Sequence, residues 1–109
     1  MPASILKLRR RAEFTRVYES GTRYRGRFMT CVALPNAVGI PRLGIAASQK
    51  IGNAVKRNRT KRLVRELFRS RKPLTGIDIV VIPRREMIDA PWRKIEADYR
   101  AALERFAKW

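Results

Sequence analysis

Asn53-Ala54-Val55-Lys56-Arg57-Asn58-Arg59-Thr60-Lys61-Arg62-Leu63-Val64-Arg65-Glu66 is the stretch on which the reading of this chain turns. Placed at 100° per residue and continued to about Arg71, it gathers Thr60, Leu63, Val64, Leu67 and Phe68 on one side, the stripe of a helix that packs on a core. Gly52 and Asn53 mark its start, because an asparagine side chain can accept a hydrogen bond from a free N–H of the first turn. Pro73 and Gly76 close it. Opposite the apolar stripe lie Asn58, Arg62, Arg65 and Arg69, spaced four, three and four residues apart, with Lys61 on one flank and Arg59 on the other. Like charges at these spacings oppose helix formation, and only Glu66 interrupts them. A mixed-sign face would read as merely solvated. A single-sign row that conflicts with its own helix points instead to a polyanion that cancels it. Arginine suits that task, since its planar fork can grip one phosphate with two hydrogen bonds and can stack on a base.

Outward from this helix, Arg11 to Ser20 carries Phe14, Val17 and Tyr18 at i, i+3 and i+4, a short helix for which Gly21 supplies a left-handed stop. Phe28 to Leu34 reads as a strand ending at Pro35. The turn residues Asn36 to Pro41 then lead to a second strand, Leu43 to Ser48, in an antiparallel hairpin. Ile77 to Ile82, apolar apart from Asp78, reads as an interior strand ended by Pro83. A last helix begins near Pro91, where Trp92, Ile95, Tyr99, Ala102, Leu103 and Phe106 recur at helical spacing. The expected order is αββαβα in one α+β domain spanning 1–109, with about residues 1–8 a flexible basic arm.

Composition narrows the chemistry. The chain has 26 Lys and Arg against 9 Asp and Glu, a formal charge of +17. Such an excess repels itself in the folded state and is best understood if nucleic acid neutralises it. No apolar run approaches the roughly 20 residues that span a bilayer, so no membrane partner is expected. There is no histidine, which excludes a Ser-His-Asp triad and a histidine-rich metal site. Cys31, the one cysteine, lies in an apolar run and reads as a buried structural thiol in a reducing cytoplasm. The carboxylates show no paired spacing that marks a metal or acid–base centre, and read as caps and ion pairs.

The run Asn53 to Glu66 resembles the signature of the bacterial ribonuclease P protein component. Arg42-Leu43-Gly44-Ile45-Ala46 leading into Ser48-Gln49-Lys50-Ile51-Gly52, Asp78-Ile79-Val80-Val81-Ile82 after the helix, and Phe14, Val17, Tyr18 and Gly21 before it are similar to the family as well. The resemblance implies a two-layer α/β sandwich of the ribosomal protein S5 domain 2-like kind, with a small mixed sheet and a left-handed βαβ crossover. It implies a monomeric protein that binds one catalytic RNA and helps it remove the 5′ leader of precursor transfer RNA. The RNA does the cutting, with Mg²⁺ held mainly by RNA and substrate and none intrinsic to the protein. Contact with the catalytic RNA falls to Lys50, Asn53, Lys56, Arg57, Asn58, Arg59, Lys61, Arg62, Arg65 and Arg69. A cleft between the first helix and the sheet takes the leader, with Phe14, Tyr18 and Phe28 facing it and Arg10 near its rim. By spacing alone Phe14, Val17 and Tyr18 would be a core stripe. Gln49 stands where the family commonly has lysine, and Cys31 lies near a strand position that can be aromatic, which implies weaker leader contacts there. Charge and arginine row would look alike in a ribosomal or general RNA-binding protein, the other reading of the chain. A stand-alone metal-dependent nuclease is a further rival, and major-groove DNA reading lacks a helix-turn-helix partner.

Overall fold

A computed structural model describes residues 7–71 and 76–107. Its elements are α1 (Arg11–Ser20), β1 (Thr22–Arg25), β2 (Met29–Pro35), β3 (Arg42–Ile45), a 3₁₀ turn at Gln49–Ile51, α2 (Ala54–Ser70), β4 (Ile77–Pro83), a 3₁₀ turn at Arg85–Met87 and α3 (Trp92–Phe106). The strands form one mixed sheet in the order β1-β2-β4-β3, in which β3 and β4 are parallel and the other two pairings antiparallel. The α+β class and the mixed sheet are as expected. β1 is an additional strand, so the order is αβββαβα. The hairpin expectation is corrected too. β2 and β3 run in opposite directions as the turn requires, but β4 lies between them and bonds to both.

Alternation along the central strands sorts side chains onto two faces. Met29, Cys31, Ala33, Ile77, Ile79 and Val81 meet Val64, Leu67 and Phe68 of α2 and Ile95, Tyr99, Ala102 and Phe106 of α3 in the main core. Val32 and Val80 face the other way, onto Val17 of α1 and Leu8. The sheet thus packs α2 and α3 as one layer, while α1 crosses its second face. β4, central and covered on both sides, is the interior strand its apolar run foretold. Trp92, read with the core stripe of α3, is instead exposed at the helix start.

Asn53 caps α2 as expected, its Oδ1 accepting from the Lys56 N–H at 3.0 Å. Pro73, assigned to the end of that helix, lies outside the described residues. Gly21 ends α1 with an extended backbone, not a left-handed one. It is needed for close approach: a Cβ there would stand 2.5 Å from the Val17 carbonyl oxygen and 2.8 Å from that of Ala33. Of the arm, Lys7 and Leu8 fall among the described residues. They are docked, with Lys7 bridged to Leu43, the Leu8 N–H donating to the Leu43 carbonyl at 2.9 Å, and Leu8 buried.

A polar network fixes α1 on the sheet. Asp78, 2% exposed, accepts from Arg42 Nε at 2.7 Å, from Arg42 Nη2 at 2.8 Å and from Asn36 Nδ2 at 2.8 Å. Arg42 Nη1 also donates to Glu13 Oε2 at 3.2 Å, and Glu13 Oε1 accepts from the Arg9 and Arg10 N–H groups. Those backbone N–H groups, aided by the Arg42 charge, hold the Glu13 carboxyl below the usual glutamate range. The folded state therefore binds the Glu13 proton less readily than the unfolded chain. Its contribution is full above the ordinary glutamate pKa and is lost as pH falls through the lowered folded value. Acid titration of Tm should show Glu13→Gln losing less stability than the parent below about pH 4.5; parallel curves would remove Glu13 from the linkage.

Candidate RNA interface

The α2 row combines cations with one neutral amide, Asn58, and its cations are unopposed among the described residues. Lys56, Asn58, Arg59, Arg62 and Arg69 are exposed, and Lys61 and Arg65 half-buried. Among the described residues none of these cations stands within ion-pair distance of a carboxylate. The three ion pairs found there are Arg42 with Glu13, Arg42 with Asp78 and Arg100 with Glu96. Lys50 is exposed just before the helix. Two of the anticipated contacts are partly committed to the fold: Asn53 Oδ1 is the helix cap, and Arg57 Nη1 donates to the Gly52 carbonyl at 2.9 Å.

Lys61 and Arg65 turn inward to a cleft of about 160 Å³, lined with them by Lys7, Leu8, Phe14, Leu43 and Ile45. The Nε of Arg65 is buried there without a hydrogen-bond partner among the described residues, which leave the desolvation of this donor uncompensated. Phe14 reaches the cleft because Gly44 has no side chain; a Cβ would stand 2.8 Å from the Phe14 ring. Four residues on, Tyr18 is half-buried with its ring centroid 6.3 Å from that of Phe14. Burial raises the Tyr18 hydroxyl pKa and the nearby Arg23 charge opposes the rise. Phe14 and Tyr18 thus form an aromatic flank that begins beside the cationic helix. Arg10 is exposed at the start of α1.

Phe28 does not join them. It is 7% exposed and belongs to the main core on the α3 side, with the Arg27 guanidinium 5.4 Å from its ring centroid. Its N–H donates to Asp98 Oδ2 at 2.9 Å. Cys31 faces the same core, fully buried, and burial pushes its thiol pKa up. On the α1 face the neighbouring position is Thr30, to whose Oγ1 Arg84 Nη2 donates at 3.0 Å. Sequence reasoning missed Lys7 in the cleft, as well as Arg23 and Arg25 on β1. The signal for the last two is the period-two placement of arginine in Thr22-Arg23-Tyr24-Arg25.

Among the described residues, no three of His, Cys, Asp or Glu stand together as metal ligands, and no helix is long and apolar enough to cross a membrane. Glu13 and Asp78 hold the α1 network, and Asp98 binds the Arg27 and Phe28 N–H groups. A free arginine row beside an aromatic cleft, on a small α+β sandwich, defines an RNA-binding protein. The chain matches the family model described as Ribonuclease P over residues 3–107. The ribonuclease P protein component of Natranaerobius thermophilus is 32% identical over 108 residues, which cover 97% of this chain and 88% of the relative. The solved RNase P protein of Staphylococcus aureus aligns at a TM-score of 0.81 and 31% identity, covering 93% of this chain and 94% of that one. The RNase P protein from Thermotoga maritima aligns at 0.81 and 31%, covering 91% and 96%. The chain belongs to the ribonuclease P protein family. It is accordingly a subunit of the ribonuclease P endoribonuclease, works in tRNA processing and associates with the ribonuclease P RNA.

Proposed function

We propose that α2 docks this protein on the catalytic RNA in a 1:1 complex while the α1 cleft holds the 5′ leader of precursor tRNA. The observation that carries the reading is the meeting of Phe14 with Lys61 and Arg65 in one cleft. Cations follow a phosphate backbone, and aromatic faces stack on unpaired bases without demanding a sequence. The protein is a positioning subunit. It neutralises crowded phosphates and raises substrate affinity, while Mg²⁺ held by RNA and substrate serves cleavage by the RNA. Its place of work is the cytoplasm, where precursor tRNA is matured.

Reconstitution tests this. With catalytic RNA, precursor tRNA and low Mg²⁺, adding the protein should raise cleavage, and omitting the RNA should abolish it. Tyr18→Leu keeps apolar bulk and removes the π-face. It should weaken precursor binding about tenfold, within the range measured for one base stack, and leave mature tRNA affinity unchanged. Equal losses for precursor and mature tRNA would return Tyr18 to the core.

A further inference from the structure

Toward Ala46 and Ile82 the second face of the sheet is only half-buried. At its start α1 is tied to Arg42 on β3 through Glu13; at its end Gly21 abuts Val32 and Ala33 on β2 and leads into β1. The helix therefore crosses from β3 toward β1. Beyond its Phe14–Tyr18 flank lie Ala46 and Ile82, half-buried, then Thr30, buried with its hydroxyl held by Arg84, and then β1. Register puts two arginines on this same face, because Arg23 stands opposite Val32 and Arg25 opposite Thr30. Both are exposed, and neither has an acidic partner among the described residues. They are about 7 Å apart along the strand, close to the separation of successive phosphates in an extended single strand.

β1 is also held firmly. Arg84 Nε donates to the Gly26 carbonyl at 3.0 Å, and Asp98 accepts from the Arg27 and Phe28 N–H groups at 3.3 and 2.9 Å. The turn after the two arginines is thus pinned from both faces of the sheet. Charges on an edge strand can serve merely to discourage pairing with another chain. Here they also complete a line: Lys61 and Arg65 at the β3 end of the aromatic flank, Arg23 beside Tyr18 at the other. Three strand spacings separate the ends, about 14 Å, room for a few stacked nucleotides.

We propose that Arg23 and Arg25 form the distal end of the leader track, binding phosphates of the leader beyond the bases stacked on Phe14 and Tyr18. The polarity follows from α2. The end of the trough beside Lys61 and Arg65 adjoins the helix that docks the catalytic RNA, where the leader joins the tRNA body. The free 5′ portion then leaves over β1. This rests on the leader-cleft reading above and adds a length requirement to it: short leaders end before the arginines and long ones reach them.

The test is precursor affinity of the reconstituted holoenzyme across a series of leader lengths. The wild type should gain affinity in two stages, and Arg23→Gln/Arg25→Gln should keep the first and lose the second, a loss of about tenfold for long leaders only. Its salt slope with long leaders should fall by about 1.4, at roughly 0.7 per phosphate released from a single strand. Arg93→Gln/Lys94→Gln, which removes the same charge from exposed positions on α3, should behave as wild type. A double variant that matches wild type at every length overturns the proposal while the leader cleft stands. So does an α3 control that loses as much as the β1 variant, which would make the effect one of net charge. A wild type indifferent to leader length overturns the cleft and this extension together.

Discussion

Replacing Arg62, Arg65 and Arg69 by glutamine is expected to weaken binding to the catalytic RNA by two to three orders of magnitude at low salt, roughly tenfold per arginine. Arg62 and Arg69 are exposed along one side of α2, with Arg65 between them and half-buried toward the cleft, and no carboxylate among the described residues competes for the three. The salt dependence should flatten by about one unit of slope for each arginine removed. Stability should move the other way. Arg62, Arg65 and Arg69 are like charges at i, i+3 and i+7, so their removal relieves repulsion within α2, and Tm should hold or rise. Binding measured by filter retention across a salt series, beside thermal unfolding, separates a lost interface from a lost fold. Undiminished affinity in a folded variant would refute docking through this face.

The second large effect is on stability. Asp78→Ala removes the acceptor for two Arg42 bonds and one Asn36 bond, and leaves the arginine in a site built for a pair. Breaking a buried pair in this way costs about 3–5 kcal/mol. The Arg42 side chain is 20% exposed, which places this one near 3 kcal/mol. For a domain of this size Tm should fall by on the order of 15 °C. Arg42→Met/Asp78→Leu should recover most of the loss, since apolar replacement of both partners is often nearly neutral. It should not recover all, because Glu13 loses its partner as well. A Tm for Asp78→Ala within a few degrees of the parent would show that the network contributes little.

Legibility in the sequence followed the strength of the local physics. The α2 helix was readable from Asn53 to its apolar stripe because cap chemistry and periodicity agree there, and β4 because burial on both faces leaves an unbroken apolar run. β1 was not. Four residues with arginine at alternate positions look like a polar connection until pairing with β2 gives them a face. The turn at Asn36 to Pro41 reported a chain reversal correctly, but a turn says nothing of what is inserted beside it, and β4 took the place between the two strands. Phe28 was misplaced by the resemblance, which sets it on the strand beside the cleft. It stands just before β2 and follows Met29 and Cys31 into the main core, whereas Thr30 and Val32 face α1. The cationic row of α2 could be read from the spacing and common sign of its residues. Its inward turn at Lys61 and Arg65, toward a ring on another helix, depends on how α1 crosses the sheet, which no local pattern records.

The burial of Cys31 reaches as far as enzyme kinetics. With no histidine in the chain and its one thiol made harder to ionise by burial, the two side-chain types that most readily supply a proton switch near neutrality have no part to play in this subunit. An inflection in a pH–rate profile of the assembled enzyme in that range is therefore not to be sought at a histidine or a cysteine of this subunit.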